Sequence, residues 1–302
     1  MKKILLLCIG LMLAKSAAAQ NAAAVLSIDA PASVAPGATF TATITMTNTG
    51  ATAWTTEGLY NLGSEIPRDN SRWGLGRIPL PSSPINPGEI AAFSTTFTAP
   101  ASEGVYNFSW GMVQDSVEWF GAIASKTIKV GSPQFVPGDL VLMQVGDGSR
   151  AIANTGTPMF LNNFSLSRRT NTFQVAIPLS GPDSIIGGLS QFTGMIDLTT
   201  DKRSIVVAGY NTNIGAMNLE VSGSPRAVGT VSSSGDFQLG VRTTTGGSTF
   251  RGAASDGLGN FWSGGQAGGI QYLGTNSAPV QISPGGAGAI RNMIMVNGSP
   301  YF

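Results

Sequence analysis

The chain has 302 residues, of which 11% are charged, with a net charge of +1, 40 glycines, one cysteine and no histidine. The missing imidazole excludes Ser-His-Asp and Cys-His nucleophiles and the HExxH zinc helix. A near-neutral chain also argues against a nucleic-acid partner, because phosphate binding needs a clustered basic surface.

At the N-terminus, Lys2 and Lys3 precede an apolar run from Ile4 to Leu13, and Ala17-Ala18-Ala19-Gln20 follows. A positive start, a short apolar stretch and an Ala-x-Ala site predict a cleaved secretory signal over residues 1–20. The run is shorter than the roughly 20 apolar residues a membrane span needs, so no transmembrane span is expected after cleavage. Removing Lys2, Lys3 and Lys15, three positive charges and no acids, takes the net charge from +1 to −2. The only cysteine, Cys8, leaves with the signal, so the exported chain is expected to hold together without a disulfide.

Residues 21–131 read as strands. Phe40, Ala42, Ile44 and Met46 alternate with Thr41, Thr43, Thr45 and Thr47, the pattern of a half-buried strand with a threonine face in water. Phe93 and Phe97 alternate with Ser94, Thr96 and Thr98, and Tyr106, Phe108, Trp110 and Met112 share one face of a third strand. Turn residues separate these runs at Asn48-Thr49-Gly50, Asn86-Pro87-Gly88 and Ala99-Pro100. Strands at this spacing without helices predict an all-β fold, and about 110 residues suit one sandwich.

Gly131-Ser132-Pro133 and Pro137-Gly138 suggest a linker over 132–138, after which short apolar runs recur between Gly, Ser and Thr. Asp201, Val206-Val207 and Gly209 are echoed at Asp256, Phe261-Trp262 and Gly264, each offset by 55 residues. A weaker echo joins Asn154–Pro158 to Asn297–Pro300. Repetition at this period predicts propeller-like units over 139–302. There is room for about three such units, whereas a ring needs about four to eight blades. The expectation is therefore an incomplete propeller and a truncated chain.

The run Met46-Thr47-Asn48-Thr49-Gly50 with Trp54-Thr55 resembles the opening of the four-tryptophan (FW) domain. Pro87-Gly88, Phe93–Phe97, Ala99-Pro100, Glu103-Gly104-Val105-Tyr106, Trp110 and Phe120-Gly121 extend the resemblance over residues 35–130. That family is immunoglobulin-like, is best known in selective-autophagy receptors and also occurs in exported bacterial proteins. It implies a β-sandwich that binds or scaffolds without catalysis. The stretch 139–302 looks, more loosely, like Gly/Ser-rich propeller-type modules of secreted bacterial proteins.

Trp54 and Trp110 read as core, since aromatics dominate core packing. Trp73, flanked by Arg72 in a long loop, and Trp119, next to a turn, read as exposed ligand contacts, because functional residues concentrate in loops. Arg68, Asp69, Arg72 and Arg77 surround Trp73 in a stretch outside the family pattern, where specificity could lie. Glu57, Glu65, Asp69, Asp115 and Glu118 read as dispersed surface acids. Asp147-Gly148-Ser149 and Asp256-Gly257 lack calcium-loop spacing and read as turns. Neither a metal nor a cofactor is expected. Asn107-Phe108-Ser109 and Asn163-Phe164-Ser165 fit glycosylation acceptors but fall in or beside strands.

These observations point to an exported bacterial binding or scaffold protein, secreted or at the cell surface or periplasm, that recognises a protein or a glycan. The competing expectation is a carbohydrate-active enzyme with carboxylate catalysis in the repeat region. A third is a structural spacer that presents another module.

Overall fold

The computed structural model describes residues 20–189, 193–221, 223–245, 247–274, 279–283 and 290–302. Apart from Gln20, the expected signal segment lies outside the described residues. Among them there is no helix.

Eight strands form the N-terminal unit: β1 (Ala23–Asp29), β2 (Ser33–Val34), β3 (Thr39–Asn48), β4 (Tyr60–Glu65), β5 (Arg77–Pro79), β6 (Ile90–Thr98), β7 (Gly104–Gln114) and β8 (Glu118–Val130). One sheet runs β1-β3-β6; the other runs β2-β8-β7, with β4 on the far edge of β7 and β5 beyond it. Alternation turns Ile44, Met46, Phe93 and Phe97 inward from the first sheet, onto Leu62, Phe108, Trp110, Met112 and Ile128 of the second. These side chains make one core. The threonines of β3 pair across its outer face with Ser94, Thr96 and Thr98 of β6, as the alternation requires. This is an immunoglobulin-like β-sandwich.

The next strands are β9 (Leu140–Val145), β10 (Met159–Ser165) and β11 (Thr170–Ala176). They pair in the order β9-β10-β11, and β11 meets β7 in parallel at Val175 and Val105. The sandwich sheet thus continues into the C-terminal half. The segment expected as a linker is also packed: the Phe135 ring meets that of Phe173 at a tilt of 55°, with centroids 4.9 Å apart. This joint explains why the alternate residues Val105, Asn107, Ser109 and Gly111, on the face of β7 opposite the sandwich core, are buried too. Ser180 of the C-terminal half, for instance, donates its hydroxyl to Ser125 O of β8.

Beyond it lie β12 (Asp197–Leu198), β13 (Ser204–Tyr210), β14 (Arg226–Ser232) and β15 (Phe237–Thr243), one antiparallel sheet. A second comprises β16 (Phe250–Ser255), β17 (Phe261–Gly265), β18 (Ile270–Tyr272) and β19 (Val280–Gln281), and a hairpin joins β20 (Ile294–Val296) to β21 (Ser299–Tyr301). Strand β13 shows how the layers stack. Ile205 and Val207 join the core shared with β10 and β11, while Val206, Ala208 and Tyr210 join the core shared with β16 and β17.

The 55-residue echo has a structural counterpart: Val206-Val207 and Phe261-Trp262 occupy the second strand of two successive four-stranded sheets. The preceding aspartates play the same part. Asp201 Oδ1 accepts the Arg203 N–H, and Asp256 Oδ1 accepts those of Leu258 and Asn260. The weaker echo has no such counterpart, since Asn297-Gly298 turns the β20–β21 hairpin whereas Thr157 in the earlier copy bridges to Gly187. The described strands of this half form successive stacked sheets and no closed ring.

Candidate functional site

The residues read as one ligand surface separate into three environments. Trp73 is buried, at 2% exposure, and its ring meets Phe40, Tyr106 and Phe108 edge-on at centroid distances of 5.8, 6.4 and 5.3 Å. Its indole N–H donates to Asn107 O at 3.2 Å. The loop on which it sits folds back over the open edge of the core, which its ring plugs; the expected exposure is therefore incorrect. Arg72 lies beside it but outside the core, with its guanidinium 5.5 Å from the Tyr106 ring centre. Burial lowers the Arg72 pKa, opposed by Tyr106 and Asp147.

Trp119 is elsewhere, on the outer face of the second sheet. It pairs with Val113 on β7, seven residues from Tyr106, or about 23 Å along the strand. Gln114 O accepts the Val117 N–H in the β7–β8 turn, and Ser116 takes a φ of 67°. The chain re-enters β8 with Phe120 packed against the core and Trp119 on the opposite face.

Trp119 lies over Gly63, where a methyl group would sit 2.5 Å from the ring. A glycine is thus required on β4. The Arg68 and Arg77 guanidiniums sit 4.7 and 4.9 Å from the Trp119 ring centre, within cation–π range. Arg77 also contacts Asp69 at 2.5 Å and Asp115 at 2.9 Å. Burial works against its charge, but the hydrogen bonds to Asp115 and Asp69 prevail and raise its pKa. Asn61 donates to Asp115 Oδ2, and Asn21 donates to both Gln114 and Glu118. A half-buried indole is thus flanked by two guanidiniums, one of them held by the Asp69 and Asp115 carboxylates.

Glu65, on the same face of β4, marks where this surface meets the C-terminal half. Its side chain is 2% exposed and contacts Arg68 at 3.2 Å and Arg150 at 2.5 Å. Sequence had placed Glu65 and Asp115 among dispersed acids; the fold brings both into charge pairs around the arginine-rich loop. Their sequence separation hid this, although the loop itself was marked by its four charged residues.

The other motifs resolve as turns or interior. Asp147 Oδ1 accepts both the backbone N–H and the hydroxyl of Ser149. Asn107 and Asn163, the glycosylation candidates, are each 1% exposed. Among the described residues no group of three or more Cys, Asp or Glu is placed to hold a metal ion, and no helix is long and apolar enough to cross a membrane.

Compared with known families, residues 27–130 match the family model described as an Ig-like domain from next to BRCA1 gene. No curated protein matches the chain.

Proposed function

We propose that the chain is an exported, non-catalytic binding or scaffold protein of the bacterial cell envelope, which recognises a protein or glycan through the surface around Trp119. The Ig-like sandwich is consistent with such a role. The observation that carries the reading is a tryptophan on the outside of a sheet, over a glycine and beside Arg68 and Arg77, with Asp115 and Asn61 next to them on the same face. An aromatic plane with planar polar neighbours stacks on a sugar or peptide ring and hydrogen-bonds its edge.

We read the sandwich further as an FW-type domain, supported by three tryptophans in the core and a fourth outside it. The successive four-stranded sheets are read as propeller-like repeats, supported by the 55-residue recurrence in equivalent strands. The signal-like N-terminus supports export.

A carbohydrate-active enzyme would need a carboxyl kept protonated as general acid. The turn aspartates move the other way. The Thr199 hydroxyl lowers the pKa of Asp201, and Lys129 that of Asp236; at Asp256, burial is outweighed by hydrogen bonds from Asn260 and Leu258.

Glycan and protein arrays probed with wild-type protein and Trp119→Ala test the proposal. Selective binding that disappears in the variant supports it; equal binding by both proteins removes the surface from consideration.

A further inference from the structure

A second site lies where the two halves of the chain join, away from Trp119. Phe135 donates its backbone N–H to Ser233 O at 2.8 Å, which holds residues 135–139 over the ends of the β12–β14 sheet. Between them is a cleft of about 300 Å³. Its interior is apolar: Val141, Ile205 and Val231 belong to the core that Phe135 also joins. Its mouth carries Val136 and Leu198, exposed by 55% and 47%. Large apolar side chains half in water beside a concave apolar interior are not explained by packing alone.

The rim is cationic. Lys202 and Arg203 both line the cleft and are exposed, and neither enters an ion pair among the described residues. Asp139, the carboxylate in the lining, accepts a hydrogen bond from the Asn163 amide at 2.9 Å. Asp201 interacts electrostatically with Arg203, while its own Oδ1 is held by the Thr199 hydroxyl and the Arg203 backbone N–H. Within the lining itself two cations stand against one carboxylate, and Asp201 lies just outside it.

We propose that this cleft binds an amphipathic carboxylate, with an apolar chain seated on Val136, Val141 and Leu198 and its carboxylate at Lys202 and Arg203. The volume is at the lower end for ligand pockets, which suits a chain of medium length. The site lies at a junction between structural units, a common position for such pockets.

Calorimetric titration of the full chain with octanoate, octanol and octylamine tests this directly. Octanoate is expected to bind best. Reversing both charges in Lys202→Glu/Arg203→Glu should weaken it about tenfold or more while octylamine binding improves. The neutral pair Lys202→Gln/Arg203→Gln, which spares the surface any repulsion, should give an intermediate loss. Leu198→Glu should weaken octanoate as well. The proposal is overturned if octanoate gives no saturable binding at millimolar concentration or octanol binds equally well. It is also overturned if both charge variants retain wild-type affinity, or if an acidic peptide competes for the rim while octanoate does not.

Discussion

Trp73 and Trp119 make opposite demands on substitution. Trp73 fills the end of the core against three aromatic rings, so Trp73→Ala should cost about 3–5 kcal/mol, the range for deleting a buried large aromatic. Trp119→Ala removes a half-buried ring and two cation–π contacts of about 0.5–1 kcal/mol each, a far smaller loss. Urea denaturation of both variants checks this, and comparable losses would mean that Trp119 is a core residue. Sequence distinguished Trp110 and Trp54 as interior correctly, because strand alternation or a neighbouring turn fixed their side. It failed at Trp73, where a long loop gives no period and only the folded chain shows that the loop closes over the core.

The aspartates of the C-terminal turns give a pH dependence with a definite sign. Folding lowers the pKa of Asp201, Asp236 and Asp256 below the ordinary value of 3.8. Their contribution to stability is therefore present above that value and is lost as the pH falls through the lower folded values. Because these groups are largely exposed, each effect is modest. Denaturation midpoints from pH 7 to pH 2 should drop at the acid end, and Asp201→Asn should flatten part of that drop.

At the scale of the strand, two glycines determine what can lie on a sheet. A methyl group on Gly63 would come within 2.5 Å of Trp119, and one on Gly240 within 2.1 Å of the Phe261 ring. Gly63→Ala should therefore displace the indole and weaken ligand binding as Trp119→Ala does, with a visible change in tryptophan fluorescence. Gly240→Ala should destabilise the contact between successive sheets by about 1–3 kcal/mol, the usual cost of overpacking, read as a lower denaturation midpoint. The strands β3, β6 and β7 were legible from alternation, and β9 and β13 from short apolar runs. Strands β10, β14 and β16 were not, because buried polar residues and glycines, such as Asn162, Asn163, Arg226, Gly229, Arg251 and Gly252, interrupt their apolar runs.

For the whole molecule, the continuity of β7 with β11, the Arg150–Glu65 pair and the Lys129–Asp236 pair at 2.7 Å bind the two halves together. Calorimetry should accordingly show one cooperative transition. Glu65→Ala leaves Arg68 and Arg150 without their shared carboxylate and should lower the transition by about 1–3 kcal/mol, whereas two separate transitions would show that the halves fold independently. This coupling was the least legible feature in the sequence, where Gly and Pro on either side of residue 135 suggested a tether.

The proposed division of labour among the sandwich tryptophans, three in its core and one facing outward for recognition, is tested most directly by titrating the best array ligand into Trp119→Ala. We predict at least a tenfold loss of affinity with the melting temperature of the variant close to that of the wild type. Unchanged affinity would contradict the account.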